Sequence, residues 1–269
     1  MRVAVVQTSP VLGARDTNIA RATDLLSRLP QEQQLDLIVL PELAFTGYNF
    51  QSAQEIGPFV ETNEVSPSRD WAQDVAKRFR CSVVVGFPLQ DDEGPRYNTA
   101  VLVDREGNVA HQYHKHFMFS TDYKWGCQPG PGFSWKQVRY GDETVRTSIG
   151  ICMDLNPKEY LAPFDLFEYA TFVLENDVRL IILPMAWLLP VDADRKLPSI
   201  GSVEYWITRL GPLIKDKQVR TVIVCNRTGE ERDAVYAGTS CVLQMGRGHV
   251  RVIDRLAREE EVLAVGLTL

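Results

Sequence analysis

The sequence predicts an α/β fold in which two β-sheets are covered by helices. Three observations support this prediction. Short apolar runs rich in β-branched residues alternate with segments of helical spacing, neighbouring strands are paired in each half of the chain, and no linker-like stretch separates the halves. We therefore expect one domain over residues 1–269, and the hydrophobic content of 45% is sufficient for its core.

The first half of the chain opens with a strand, a helix and a second strand. Its predicted strands are apolar runs at residues 2–7, 35–40, 82–87, 98–103 and 108–113. The first predicted helix covers residues 16–29 and is closed by Pro30. Ser66 and Pro67 predict the start of a second helix that runs to Arg80, with the serine as its N-cap.

The second half repeats this alternation. Its predicted strands lie at residues 145–149, 179–184, 220–226, 236–244, 249–253 and 262–267. Apolar residues at helical spacing predict helices at residues 162–177 and 203–217. Between the halves, residues 117–133 are irregular and rich in aromatic residues, Gly and Pro. So long a loop inside a compact domain is usually functional.

Three reactive side chains follow predicted strands directly: Glu42, Lys115 and Cys152. Open α/β sheets place their chemistry at the carboxyl ends of strands, and Gly150 permits a close approach beside the cysteine. A thiol is a nucleophile only where its neighbours stabilise the thiolate. The pattern therefore indicates a cysteine nucleophile that needs a base and a cation beside it.

Three histidines, His111, His114 and His116, raise the question of a zinc site. On a strand, His111 faces away from the other two, and no acid or cysteine pair converges on them in the sequence. We therefore expect packing or edge roles for these histidines and no metal site.

Composition argues against several classes of partner. The formal net charge is −6 and no Lys/Arg-rich run offers a footprint for nucleic acid. No apolar stretch is long enough to span a membrane, and residues 2–7 lack the features of a signal peptide. Five scattered cysteines without paired spacing favour free thiols in a reducing compartment, so we expect a cytoplasmic protein.

Five stretches around and after the reactive residues can be compared with known families. They are Leu40-Pro-Glu42-Leu, Tyr113-His-Lys115-His, Gly150-Ile-Cys152-Met-Asp154, Leu183-Pro-Met-Ala-Trp187 and Asn226-Arg-Thr-Gly229-Glu. Together they resemble the nitrilase superfamily of carbon-nitrogen hydrolases, over nearly the whole chain and in order. The resemblance implies a four-layer α-β-β-α sandwich and a catalytic triad of Glu42, Lys115 and Cys152.

Three further stretches carry a closer similarity. They are Thr121-Asp-Tyr-Lys-Trp125-Gly-Cys, Cys152-Met-Asp-Leu-Asn-Pro157 and Ala162-Pro-Phe-Asp-Leu-Phe-Glu-Tyr-Ala170. These resemble the fungal protein N-terminal amidases, which convert N-terminal Asn or Gln to Asp or Glu with release of ammonia. The resemblance implies a peptide or protein N-terminus as substrate, a product that feeds an N-degron pathway, and no metal or organic cofactor.

Amide hydrolysis requires an activated nucleophile, oxyanion stabilisation and proton transfer. In the expected division of this work, Glu42 accepts the Cys152 proton and the thiolate attacks the side-chain carboxamide carbon. Lys115 and the Met153 backbone N–H would stabilise the oxyanion.

Recognition of a chain terminus requires a carboxylate for the α-ammonium, and Asp122 and Asp154 are the candidates. Asp154 could equally accept backbone hydrogen bonds in the turn after Cys152. Tyr48, Trp125 and Trp187 are candidates for the pocket wall.

The chain departs from the wider superfamily at several positions. Met153 replaces an aromatic residue, and Asn156 replaces an arginine that holds small acid substrates. The family's second Glu, in the loop after the lysine, has Asp122 as its nearest counterpart. The sequence predicts no preference between Asn and Gln and no particular oligomeric state.

Two alternative functions remain open at this stage. One is a nitrilase-type amidase or carbamoylase acting on free small molecules, which the missing arginine at position 156 disfavours in its acid-binding form. The other is a non-catalytic binding protein on the same scaffold, which the intact Glu42, Lys115 and Cys152 disfavour.

Overall fold

The computed structural model describes residues 1–30 and 34–268. Its strands, in chain order, are β1 (Arg2–Gln7), β2 (Leu37–Val39), β3 (Glu61–Thr62), β4 (Ser82–Gln90), β5 (Arg96–Val103), β6 (Val109–His114), β7 (Trp135–Tyr140), β8 (Glu143–Ile149), β9 (Leu180–Met185), β10 (Arg220–Asn226), β11 (Glu230–Glu231), β12 (Ala234–Val235), β13 (Cys241–Gly246), β14 (His249–Arg255) and β15 (Glu261–Gly266).

The structure also contains six short α-helices in the residues that it describes. They are α1 (Arg15–Ser27), α2 (Ala53–Ile56), α3 (Pro67–Phe79), α4 (Ser120–Lys124), α5 (Glu168–Glu175) and α6 (Ile200–Arg209). Additional 3-10 turns cover Gly57–Phe59, Cys152–Leu155, Lys158–Tyr160, Phe164–Leu166 and Gly211–Lys215. Within residues 1–30 and 34–268, no helix has the length and apolar character needed to cross a membrane.

Two large sheets form the centre of the fold. The first has the order β15-β1-β2-β4-β5-β6, with β3 also paired to β4, and the second has the order β14-β13-β10-β9-β8-β7. In the first sheet β1, β2 and β4 are parallel, and in the second β8, β9 and β10 are parallel. The outer strands of both sheets pair antiparallel with their neighbours. Each sheet therefore has a parallel centre and antiparallel edges.

The sheets pack face to face, with helices on their outer surfaces. Successive side chains of β1 point to opposite faces. Val3 and Val5 join the core cluster shared with the second sheet, whereas Ala4 and Val6 join the cluster formed with α1 and α3. Helices α5 and α6 cover the second sheet through buried side chains such as Trp206. This arrangement confirms the predicted α-β-β-α sandwich.

The helix predicted at residues 162–177 is wrong in its bounds. Only α5, at the end of this segment, is α-helical, and a 3-10 turn over Phe164–Leu166 precedes it. Proline disfavours the helical conformation for the residue before it, which limits Ala162 ahead of Pro163. Phe167 has a left-handed backbone with φ of 46°, which separates the turn from the helix. The apolar periodicity of this segment therefore spans two elements.

The helix predicted at residues 203–217 is likewise wrong at its end. Helix α6 stops at Arg209, and a 3-10 turn over Gly211–Lys215 follows. Pro212 has no backbone N–H to continue the helical hydrogen bonds, and its ring clashes with the preceding turn.

Ser66 is the N-cap residue of the helix at residues 67–79, as predicted, but its side chain does not act as the cap. The Ser66 side chain makes no capping bond to the helix. Instead, the buried Glu61 carboxylate accepts hydrogen bonds from Ser66 Oγ at 2.6 Å and from the Ser68 amide at 3.1 Å. A carboxylate is favoured at a helix N-terminus by the helix dipole, and this one comes from β3 and not from the N-cap residue.

The turn that carries Glu42 lies directly against Gly86 of β4. A Cβ atom at Gly86 would lie 2.8 Å from the Pro41 carbonyl oxygen, 2.9 Å from the Leu43 amide nitrogen and 3.0 Å from Glu42 Cα. Only glycine therefore allows this close approach, and the packing fixes the position of the Glu42 backbone.

We expect Gly86→Ala to lower the free energy of unfolding by about 1–3 kcal/mol, because the new methyl group meets backbone atoms that cannot move aside cheaply. Urea denaturation measures the change. The matched control is Gly201→Ala in α6, where a Cβ atom meets nothing within 4 Å and no loss is expected. An unfolding midpoint unchanged by Gly86→Ala would contradict the close packing of the Glu42 turn.

Candidate active site

Three strand ends bring Glu42, Lys115 and Cys152 to one place. Glu42 follows β2 of the first sheet, Lys115 follows β6 of the same sheet, and Cys152 follows β8 of the second. Glu42 is 1% exposed, Lys115 is 0% exposed and Cys152 is 9% exposed. Such burial makes electrostatic interactions between these groups strong, because water cannot screen them.

The Lys115 ammonium lies between two buried carboxylates. Its Nζ atom is 2.6 Å from Glu42 Oε1 and 2.7 Å from Asp122 Oδ2. Burial alone lowers the pKa of a lysine, but the charges of Asp122 and Glu42 outweigh it and raise the pKa of Lys115 well above its usual range. This shift favours the ammonium form of Lys115 at neutral pH.

Asn98 of β5 connects the two carboxylates from the other side. Its Nδ2 atom donates to Glu42 Oε1 at 2.7 Å and to Asp122 Oδ1 at 3.3 Å. The Ala186 amide, just after β9, donates to Glu42 Oε2 at 2.8 Å. Neither residue was predicted from the sequence. Asn98 could have been noticed in the sequence as a polar residue in the otherwise apolar run at residues 98–103. The Ala186 donor is a backbone amide, which no residue type marks in a sequence.

Cys152 begins the 3-10 turn Cys152–Leu155 with a left-handed backbone, φ 43°. The Met153 amide lies in the first turn of this element, where N–H groups have no partner within the turn. Beneath it, a Cβ atom at Gly150 would lie 2.8 Å from the Tyr169 ring, so glycine is required there. The sharp turn presents the thiol toward the pocket described below.

The surroundings of Cys152 disfavour its thiolate. Burial raises the pKa of Cys152 well above its usual value, and the negative charge of Glu42 adds to this, while Lys115 and the Ala186 amide act in the opposite direction. Burial also raises the pKa of Glu42, against the lowering effect of Lys115. Burial therefore disfavours the charged form of both the thiol and the carboxyl group.

Asp154 does not line the pocket. Its carboxylate is fully buried and accepts four hydrogen bonds, from the amides of Ile151, His116 and Phe117 and from the Tyr113 hydroxyl, at 2.7, 3.0, 2.7 and 2.8 Å. Of its two predicted roles, this geometry matches the structural one. Asp154 ties the turn after Cys152 to the segment after Lys115.

Asp122 does not line the pocket either. Helix α4, which lies in the segment predicted to be irregular, places it against Lys115. The Phe119 amide also donates to Asp122 Oδ2, at 2.8 Å. Its two oxygens are therefore engaged by Lys115, Asn98 and a backbone amide.

An open pocket of about 240 Å³ lies over Cys152. The residues that line it are Tyr48, Phe119, Cys152, Met153, Asn156, Tyr160, Ala186, Trp187, Leu188 and Tyr205. Tyr48, Met153 and Trp187 are thus where the sequence analysis placed them. Trp125 is not, because it is fully buried in a separate cluster with Phe50, Ile56, Met118 and Cys127. Tyr205 and Tyr160 come from distant segments that no local pattern links to the site.

The three histidines have separate partners. His111 lies 3.2 Å from Ser134 Oγ, His114 lies 2.8 Å from Thr99 Oγ1, and His116 lies 2.8 Å from the Gly130 carbonyl oxygen. Across the described ranges, no group of three or more His, Cys, Asp or Glu side chains has an arrangement that could hold a metal ion.

Comparison with known families places the chain among hydrolases. The carbon-nitrogen hydrolase family model matches residues 2–162. The chain is 38% identical to the protein N-terminal amidase of Schizosaccharomyces pombe, over 99% of both proteins. It is 35% identical to the protein N-terminal amidase of Saccharomyces cerevisiae, over 70% of this chain and 45% of that protein. The resemblance seen in the sequence is confirmed by these matches.

Solved structures show the same fold. A crystal structure of an N-terminal amidase with an Asn-Glu peptide superposes with a TM-score of 0.91 at 22% identity, covering 98% of this chain and 96% of that one. The nitrilase-superfamily protein Nit3 of Saccharomyces cerevisiae superposes with a TM-score of 0.77 at 20% identity, covering 98% of this chain and 89% of that one.

We expect Lys115→Met to cost about 3–5 kcal/mol of folding free energy, because it leaves Glu42 and Asp122 buried without a cation. Adding Asp122→Asn should recover part of this loss, since it removes one of the two unpaired charges. Chemical denaturation of the parent, both single variants and the double variant gives the coupling. As a control, Arg28→Met breaks an exposed ion pair with Asp24 and should cost under about 1 kcal/mol. Equal losses for Lys115→Met and Arg28→Met would contradict the buried-pair assignment.

We expect alkylation of Cys152 by iodoacetamide to accelerate from neutral into alkaline pH, because the raised pKa leaves little thiolate at neutrality. Asp122→Asn removes a negative charge that raises this pKa, so its profile should move to lower pH. Peptide mass mapping measures the rate at Cys152. A rate already at its maximum below neutral pH would show that the thiolate is the resting form.

Proposed function

This chain belongs to the carbon-nitrogen hydrolase family, and on that premise we propose that it deamidates N-terminal Asn and Gln residues of peptides and proteins. The products are N-terminal Asp and Glu, with release of ammonia. The observation that carries the proposal is the buried Glu42–Lys115 pair beside Cys152 at the floor of an open pocket. The full-length similarity to a protein N-terminal amidase supports the choice of substrate.

In the first half of the proposed reaction, the Glu42 carboxylate accepts the Cys152 proton as Sγ attacks the side-chain carboxamide carbon. The Lys115 ammonium and the Met153 amide stabilise the negative charge on the carboxamide oxygen, and one such donor typically lowers the barrier by about 3–4 kcal/mol. Protonated Glu42 then gives its proton to the nitrogen as the carbon–nitrogen bond breaks. Ammonia leaves, and the acyl group remains on Sγ as a thioester.

In the second half, Glu42 takes a proton from a water molecule that attacks the thioester carbon. The carbon–sulfur bond breaks, the Cys152 thiolate regains its proton from Glu42, and the acid is released. Because Lys115 remains charged throughout, it neutralises the two anionic stages without taking part in proton transfer. Each proton that moves comes from Cys152 or from the attacking water and passes through Glu42, and the scheme includes no metal or organic cofactor.

The lining of the pocket disfavours the alternative of a small acid substrate. A substrate carboxylate would require a cationic side chain in the wall, and no Lys or Arg is among the described residues that line this pocket. Asn156, which replaces the family's arginine, instead accepts a hydrogen bond from the Tyr205 hydroxyl at 2.7 Å. A small acid amide would therefore find no partner for its charge.

The proposal also includes the domain organisation of the enzyme and its cellular compartment. Residues 1–269 act as a single catalytic domain, and the five free cysteines support a reducing compartment, the cytoplasm. There, conversion of Asn or Gln to an acidic N-terminus would feed an N-degron pathway.

The test is mass spectrometry of peptides that begin with Asn or Gln, with free and with acetylated N-termini. The free peptides should gain the mass difference between an amide and an acid, whereas the acetylated peptides should not. Cys152→Ala should abolish turnover by removing the nucleophile. The matched control is Cys81→Ala, which removes another buried thiol. Cys81 lies in the core cluster that the first sheet forms with α1 and α3, so this variant should retain turnover.

Other results assign the site differently. Turnover of acetylated peptides or of free carboxamides as well would show that the terminal amine is not recognised and would favour the small-molecule amidase. Turnover that survives in Cys152→Ala would contradict the thioester mechanism. If no amide is turned over, the result would favour the alternative hypothesis of a non-catalytic binding protein.

A further inference from the structure

A buried ion pair follows β10, beside a motif that carries part of the family resemblance. The motif is Asn226-Arg-Thr-Gly229-Glu, and the proposed reaction uses none of its side chains. Arg227 of this motif is 0% exposed, and Glu231, which lies just after it, is 4% exposed. Burial removes the hydration of both charges, so such a pair is weak evidence for a role in stability alone. Its contacts point instead to the candidate active site.

The Glu231 carboxylate is fixed from one side by Arg227 and Tyr236. Arg227 Nη1 forms the ion pair with Glu231 Oε1, and Arg227 Nη2 donates to the Pro10 carbonyl oxygen at 3.0 Å. The guanidinium carbon lies 3.8 Å from the centroid of the Tyr236 ring, and the Tyr236 hydroxyl donates to Glu231 Oε2 at 2.9 Å. These contacts compensate the buried charge and hold the carboxylate in one orientation.

From the other side, the same carboxylate binds the loop that follows Glu42. Glu231 Oε2 accepts hydrogen bonds from the backbone amides of Tyr48 at 3.0 Å and Asn49 at 2.8 Å. A Cβ atom at Gly47 would lie 2.5 Å from Glu231 Oε1, and Gly47 has a φ of 81°, so this close approach requires glycine. Glu231 therefore fixes the far end of the loop, whereas the packing against β4 fixes its near end.

Tyr48 connects this loop to the reactive groups. Its ring lines the pocket over Cys152, and Lys115 Nζ lies 5.4 Å from the ring centroid, within the range of a cation–π contact. The side chain is 3% exposed, and its hydroxyl has no hydrogen-bond partner among the described residues. The position of the ring therefore depends on packing and on the backbone hydrogen bonds to Glu231.

We propose that Glu231 is a positioning residue for the reaction at Cys152, because its bonds to the Tyr48 and Asn49 amides set the Tyr48 ring against Lys115. This inference rests on the proposed amidase function. A ring held in this place limits the access of water to the ammonium. The ammonium then interacts more strongly with the negative charge that develops on the carboxamide oxygen.

The first test is a double-mutant cycle on the turnover of an Asn-initiated peptide. Glu231→Gln keeps the size of the side chain but removes the charge that binds the two amides. We expect it to lower kcat about tenfold with a smaller change in KM, because the weakened interaction is the one with the developing charge. In a Tyr48→Leu background, which has no ring to position, the same substitution should change kcat less than about twofold. Equal losses in the two backgrounds overturn the inference.

A second variant separates positioning from stability, because Glu231→Gln leaves Arg227 buried without its partner. Adding Arg227→Met removes that unpaired charge and should restore part of the unfolding midpoint in urea. The double variant still has no carboxylate for the Tyr48 and Asn49 amides, so its kcat should stay low. A kcat that recovers together with the midpoint would show a purely structural role and also overturns the inference.

The matched control is Glu61→Gln, since Glu61 is another buried glutamate but binds the start of α3. This variant should leave kcat unchanged. If the parent protein turns over no peptide, the amidase proposal is refuted, and the inference that rests on it is refuted too. Normal turnover by the parent, together with an unchanged kcat in Glu231→Gln, refutes only the positioning role.

Discussion

The buried Lys115 ammonium is the interaction on which the rest of the site depends. It neutralises Glu42 and Asp122, which come from separate segments and could not both be buried as anions without it. Asn98 and the Ala186 amide complete the hydrogen bonds of Glu42. Because these donors come from β5 and from the end of β9, the ion cluster also ties the first sheet to the second. The same contacts therefore fix both the geometry of the candidate active site and the packing of the two sheets.

The cluster explains how a buried cysteine can react. Burial and the negative charge of Glu42 both disfavour the Cys152 thiolate, so in the proposed mechanism the proton passes to Glu42 at the moment of attack. Lys115 cannot act as that base because its own pKa is raised by its two acidic neighbours. The arrangement separates a permanent cation, for charge stabilisation, from a carboxyl group that exchanges protons. Amide hydrolysis requires both functions within reach of one carbon.

The acidic residues of the site divide into distinct roles according to their contacts. Asp154 has its lone pairs filled by three backbone amides and one hydroxyl, so it shapes the turn that presents Cys152. Asp122 holds Lys115, and Glu42 alone reaches both the lysine and the end of β9. None of the three is among the described residues that line the pocket over Cys152, half of which are aromatic.

The sequence alone determined the sandwich, most of the sheet strands and the three reactive residues, because strand patterns and the residues that follow a strand are local. It also showed the family, through motifs that run along the whole chain. Only the tertiary structure decided that 162–177 is a turn and a short helix, that Glu61 caps α3, and that Trp125 lies away from the pocket. The same holds for Asn98 and Tyr205, and for the structural role of Asp154. These features arise from contacts between segments far apart in the chain, which leave no periodicity to read.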